Sequence, residues 1–474
     1  MAYMSRRLIA MALITLGNAQ SPGTLTPETQ PKFNIQQCTA AGCTSVPGTL
    51  TVDANWRWFH TSNGSTGCYN GNKWDATLCP DGKTCVKNCV LEGADYTGSY
   101  GITSDGNAVT LSYVTAGKYA MNIGSRLFLL ASDTKYRMFN VLGKELSFDV
   151  ELSSLGCGLN GALYFSAMDE DGGVAKYPTN TAGAKYGTGY CDAQCPRDVK
   201  FINGEANVGN WTPSTVDMNA GTGQYGTCCA EMDIWEANSI SSAYTPHVCS
   251  VTNQTRCAQG AECGDGADRY NGLCDKDGCD LNTYRMGQPG FYGPGATGGI
   301  DTTTKFTVVT QFITSDGTPA GTLTEIKRKY IQNGKVIETP STNVTGMPAY
   351  QSVTDKFCND QKTAFNDTNA FGKMGGLAAM GQAMQKGMVL VISLWTDNAA
   401  NMLWLDSSYP PTKSPGSPGV TRGTCSPQSG VPGDIQNQMP NAKVTFSNVK
   451  IGDLGTTTQA GANPAGATIA PVPK

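Results

Sequence analysis

The stretch Glu231-Met-Asp-Ile-Trp-Glu-Ala-Asn238 sets three carboxylates among apolar Met232, Ile234 and Trp235. The alternation reads as a β-strand, which turns Glu231 and Asp233 to one face. A regular strand would turn Glu236 to the other. One extra residue near Trp235, a β-bulge, returns Glu236 to the Glu231 face, and bulges often re-aim side chains beside active sites. Two carboxyls converging on one face, with Asp233 between them, can cleave a glycosidic bond with retention. One is the nucleophile and the other the acid, then the base. The same acids on a half-exposed strand also fit a plain solvated face, so the rest of the chain has to decide.

Strand-like runs recur outward from this stretch: Arg126–Leu130, Glu145–Leu152, Asn160–Phe165, Lys305–Ile313, Met388–Trp395 and Lys443–Ile451. Asn333-Gly334 is a hairpin signal. Helical periodicity is scarce; the best case is Leu377, Met380, Gly381 and Met384, ended by Gly387. Many strands with long Gly/Asn/Thr/Pro loops indicate an all-β protein, one large β-sandwich. In Asp53–Trp58 the two tryptophans Trp56 and Trp58 fall on one strand face, as core or as a ligand platform.

Eighteen cysteines, an even number, fit an oxidising compartment and as many as nine disulfides. Six of them crowd between Cys38 and Cys89, where local staples are expected, and a long Cys157–Cys425 bridge would argue for a single domain. With only His60 and His247 and no paired C-x-x-C motifs, zinc is not expected. Residues 1–19 read as a secretory signal, with Arg6 and Arg7 before the apolar Leu8–Leu16 and small Gly17 and Ala19 at its end. No apolar run reaches a membrane span. Sequons at Asn63, Asn210, Asn253, Asn343 and Asn366 agree with a secretory route. The net charge of −4 and the 15% of charged residues offer no basic patch for nucleic acid. A weakly charged, hydroxyl-rich surface suits a neutral glycan. Residues 456–474 read as a disordered Thr/Gly/Ala/Pro tail without the aromatics of a carbohydrate-binding module, which leaves 20–455 as the folded domain.

The chain closely resembles the fungal glycoside hydrolase family 7 enzymes, the retaining cellulases. The resemblance rests on Ala162-Leu-Tyr-Phe165, Tyr177–Tyr190, Cys191–Asp198, the acidic stretch and Ala400–Ser407. It implies a concanavalin A-like β-jelly roll whose concave sheet carries a substrate groove. It also implies Glu231 as nucleophile, Glu236 as acid/base, Asp233 as the residue holding Glu231, and His247 near the leaving group; alone, His247 could equally be a structural hydrogen-bonder. Aromatic platforms for sugar rings fall on Trp56, Trp58, Trp395 and Trp404. Polar contacts fall on Arg126, Asn160, Tyr164, Tyr190, Asp192, Gln194 and Lys200, and on the product side on Arg269, Asp277, Arg285 and Arg422. The implied bridges are 38–43, 68–89, 79–85, 157–425, 191–229, 195–228, 249–274, 257–263 and 279–358.

Within that family the chain resembles the cellobiohydrolases, whose loops roof the groove. It keeps a long 210–226 loop, both Arg269 and Arg422, and Ile234-Trp-Glu-Ala237 in place of the Leu-Glu-Gly of endoglucanases. The implied activity is release of cellobiose from the reducing end of cellulose, by a secreted monomer needing no metal or organic cofactor. The rivals are a family 7 endoglucanase and a non-catalytic glycan-binding jelly roll. Two departures weaken the roof: the Cys263–Arg269 loop is short and lacks a tip tyrosine, and Ala399 stands where the facing loop often carries another.

Overall fold

The computed structural model describes residues 20–459. The strands read from the sequence form two large, mainly antiparallel sheets. One runs in the order Thr49–Val52, Ser125–Ser132, Met388–Thr396, Leu159–Ser166, Glu231–Ala237, Ser242–His247 and Leu281–Asn282. The other carries Ala108–Ser112, Lys443–Asp453, Lys144–Glu151, Phe306–Thr314, Leu323–Gln332 and Lys335–Glu338. The expected jelly-roll sandwich is the fold.

Residue alternation explains why the sheets face each other. Leu127, Ile392, Leu163 and Trp235 form one row across the first sheet, all buried. Trp235 meets Phe148, Phe306 and Tyr330 of the second sheet edge-on, with ring centroids 6.2, 5.8 and 6.4 Å away. Truncating such a buried aromatic costs about 3–5 kcal/mol. Asn333 and Gly334 both hold positive φ, the backbone of a tight two-residue hairpin between the 323–332 and 335–338 strands.

The helix expected around 377–384 spans Gly376–Gln385, and Gly387 follows it at φ +90°. A longer helix, Asp355–Phe365, escaped the sequence reading. Thr354 caps it by accepting from the Phe357 N–H, but its buried face mixes Gln361 and Lys362 with Phe357, Cys358 and Phe365, so few apolar residues mark that face in the sequence.

Two expectations need correction. Trp56 and Trp58 do not share a strand face: the Asp53 carboxylate accepts from the Asn55 N–H and turns 54–56 into a 3-10 helix. The domain also runs past 455. Thr456 and Thr457 are buried, and Thr457 donates from its N–H and hydroxyl to Glu145. The expected signal, 1–19, and the tail from 460 lie outside the described residues.

All nine implied disulfides are present. Cys157–Cys425 closes 268 residues and ties the turn before the 159–166 strand to the loops that follow the 388–396 strand. No helix among the described residues is long and apolar enough to cross a membrane.

Candidate active site

Strand register settles where the three acids point. Leu163 pairs with Trp235 but Phe165 with Met232, so Asp233 and Ile234 together oppose Tyr164. On the other side Asp233 pairs with Thr245 and Glu236 with Ala243, so Ile234 and Trp235 oppose Tyr244. Ile234 is the extra residue on both sides, a bulge beside Trp235 as expected. Beyond it, Glu231 faces Ser166 and Glu236 faces Ala162. Ser166 and Ala162 are an even number of residues apart and share a face, so the two glutamates do too. Trp235, one residue on from the bulge, takes the opposite face and fills the core.

The disulfides Cys191–Cys229 and Cys195–Cys228 staple the 191–195 turn onto the residues just before Glu231. That turn delivers the Ala193 N–H to Glu231 Oε2 at 3.1 Å. Asn160 Nδ2 donates to Glu236 Oε1 at 2.9 Å while its own oxygen accepts from the Ala237 N–H. Burial, with Asp233 and Asp192 nearby, pushes Glu231 well above the usual carboxylate range. Burial and Asp233 do the same to Glu236, against the opposing pull of His247.

His247 closes the cluster from the neighbouring strand, paired directly with Glu231. Its Nε2 lies 3.2 Å from Asp233 Oδ2 and its Nδ1 2.9 Å from the Asp275 carbonyl. Both partners are acceptors, so both ring nitrogens carry protons and the ring is a cation. Burial opposes that charge, but Asp233 prevails and raises the imidazole to about 9. Gly278 lets the next loop approach: a Cβ there would lie 2.7 Å from the ring. Asp233 thus grips His247, while Glu231 is held by backbone.

The same sheet face continues away from the two glutamates. Arg126, Ser393, Ala162 and Glu236 form one row. Arg126 donates to Asp53 at 2.8 Å and lies 3.3 Å from the Tyr190 ring centroid. The Tyr164 and Tyr190 hydroxyls are 2.9 Å apart, and Tyr190 donates to Asp192 at 2.6 Å. Gln194 reaches the Lys276 carbonyl at 2.8 Å. Lys200 donates to the Asn55 carbonyl at 2.8 Å, and burial lowers its ammonium to about 8. Trp58 is 42% exposed and lies over His60, with centroids 4.1 Å apart, whereas Trp56 is partly buried beside Arg126. Trp395 and Trp404 lie 6.3 Å apart, both partly exposed, with Trp404 donating to Asp397.

On the other flank Arg269 pairs with Asp277 through an Nε donation of 2.7 Å. Arg285 is buried and committed to protein: it donates to Asp280, to Asp367 at 3.1 Å and to the Gly419 carbonyl at 2.9 Å. Arg422 differs. Its Nε has no partner among the described residues, and burial beside Arg285 lowers it to about 10. Of that pair, Arg422 keeps a donor open. Sequence reading missed Asp53, which orients Arg126, and the contact between Asn398 Nδ2 and Asp217 Oδ2 at 3.1 Å. The latter joins the 210–226 loop to the turn after the 388–396 strand.

The sequence profile described as Glycosyl hydrolase family 7 matches residues 22–458. The chain belongs to glycosyl hydrolase family 7. A family 7 cellobiohydrolase from Daphnia pulex is 53% identical with a TM-score of 0.91, over 92% of this chain and 100% of that one. The cellobiohydrolase of Melanocarpus albomyces, solved with cellotetraose, is 47% identical with a TM-score of 0.87, over 92% and 99%. The endocellulase EGI of Humicola insolens is 35% identical with a TM-score of 0.77, over 92% and 100%. This family 7 glycoside hydrolase therefore shares its fold with both cellobiohydrolases and endocellulases.

Proposed function

We propose that this chain is a retaining cellobiohydrolase that releases cellobiose from the reducing end of cellulose. The observation that carries this reading is the bulge at Ile234, which sets Glu231 and Glu236 on one face of the groove floor. Glu231 attacks the anomeric carbon as its carboxylate, the form that the Ala193 N–H favours against burial and the neighbouring acids, and forms a glycosyl ester as the glycosidic C–O bond breaks. Protonated Glu236 gives its proton to the departing oxygen. Glu236, now a base, takes a proton from the water that cleaves the ester, and a second displacement restores the original configuration. His247 and Asp233 form an ion pair beside them, which keeps this coupled set from accumulating negative charge. These groups supply nucleophile, acid and base, so the proposed steps call on no cofactor.

The exo reading is supported by the Asp217–Asn398 contact, which ties the 210–226 loop to the turn after the 388–396 strand, and by higher identity to the two cellobiohydrolases than to the endocellulase. The endo reading has its own support: Ala399 is exposed on that turn and presents only a methyl group. Secretion is supported by nine disulfides, which persist in oxidising compartments. The discriminating experiment is the ratio of soluble to insoluble reducing sugar released from cellulose. A cellobiohydrolase gives mostly soluble cellobiose; new ends left mainly on the solid would make this an endoglucanase.

A further inference from the structure

A cation lies buried behind the catalytic strand. Arg328, on the 323–332 strand of the opposite sheet, is 1% exposed and points into the sandwich core. Among the described residues it has no ion pair with a carboxylate. A guanidinium in such a place is costly unless its hydrogen bonds do something a hydrocarbon could not. Its partners show what that is. One terminal nitrogen donates to the Ile234 carbonyl, and Nε donates to Thr310 Oγ1 at 3.0 Å. The guanidinium carbon lies 4.4 Å from the centroid of Tyr244 and 5.7 Å from that of Trp235.

These contacts converge on one irregularity. Ile234 is the supernumerary residue of the bulge, Tyr244 the single residue opposite it, and Trp235 the residue after it. A bulge takes backbone groups out of the ladder, and a buried carbonyl without a donor is destabilising. Without Arg328, the strand could satisfy that carbonyl by slipping back into register. Slippage would turn Glu236 to the core face.

We propose that Arg328 is a positioning residue for the acid/base: it crosses the sandwich to hold the Ile234 carbonyl, and through it keeps Glu236 aimed into the groove. This rests on the reading of Glu236 as the acid. Arg328 touches neither groove nor substrate, so its effect should track the need for a proton donor. Breaking the bond to a poor leaving group needs the acid; breaking the bond to an acidic phenol does not.

The test compares kcat/KM of Arg328→Met on two aryl lactosides, with unsubstituted phenyl as the poor leaving group and 2,4-dinitrophenyl as the good one. The expected loss is about 100-fold or more on the first and under about 10-fold on the second, in the range that general acids contribute. Thermal unfolding and near-ultraviolet dichroism verify that the variant is folded. Equal losses on both substrates, or none, overturn the proposal. Should Arg328→Met fail to fold, Arg328→Lys keeps the charge on a single donor nitrogen but loses the planar fork. It is expected to show the same inequality at smaller amplitude, and equal losses there overturn the proposal as well. Glu236→Gln serves as the control. If that variant itself ignores the leaving group, the acid reading falls independently of Arg328.

Discussion

Glu231 and Glu236 leave the same face of one strand although their spacing in a regular strand would set them on opposite faces, because Ile234 is accommodated as an extra residue between them. The functional account depends on that geometry. Glu231→Gln keeps the shape and hydrogen-bonding capacity of the side chain but removes the nucleophile. Turnover of an aryl lactoside should fall by at least about 1,000-fold, as for other catalytic groups that act as a unit. Cellotetraose binding, followed by calorimetry, should stay within about threefold. Retention of more than a few per cent of the rate would remove Glu231 from the nucleophile's role.

His247 carries a pH signature. Its folded value of about 9 exceeds the ordinary 6.5, so its stabilising contribution is complete below about pH 6.5 and disappears as pH rises through about 9. The difference in melting temperature between the wild type and His247→Gln should therefore shrink over that window. The cation also pulls Glu236 down, so its removal should move the alkaline limb of kcat/KM upward. A downward move of that limb would contradict the charge assignment.

On the proposed reading of the 210–226 loop as part of a roof, its contact through Asp217 to Asn398 helps to hold it. Asp217→Ala removes the acceptor and leaves the groove floor untouched. Hydrolysis of soluble aryl lactosides should stay within about twofold, since the contact involves neither glutamate nor the groups that hydrogen-bond them. On cellulose, the share of reducing ends left on the solid should rise. An unchanged share would mean that this contact does not hold the roof.

Cys157–Cys425 should dominate global stability because it closes the longest loop, 268 residues. Replacing both cysteines by serine should destabilise by about 5–6 kcal/mol on the chain-entropy view. Chemical denaturation checks this, and a loss under about 1 kcal/mol would show that the surrounding loops are held by other contacts.

Short apolar runs bounded by turn residues made the sandwich legible, continuous in Met388–Trp395 and alternating in Lys443–Ile451. The bulge was legible too, from three acids whose spacing only an extra residue reconciles. Elsewhere local chemistry prevailed over pattern. At Trp56 a capping aspartate made a 3-10 turn from what alternation read as strand, and at Asp355–Phe365 a polar buried face hid a helix. The disulfide pairing came from family resemblance alone, because spacing leaves many pairings open. The role of Arg328 could not be read at all. Its position on a strand says only that it faces inward with Ile326 and Tyr330, and what it meets there belongs to a distant segment. Arg285 looks in sequence like a ligand donor, yet Asp280 and Asp367 occupy it.

The claim on which the rest depends is that two carboxyls on one face act in succession on the same anomeric carbon. Proton NMR of the first product formed from a β-linked cello-oligosaccharide, recorded before mutarotation, tests it directly. The new reducing end should appear as the β-anomer. An α-anomer appearing first would mean a single displacement by water, and the bulge would then have to be explained another way.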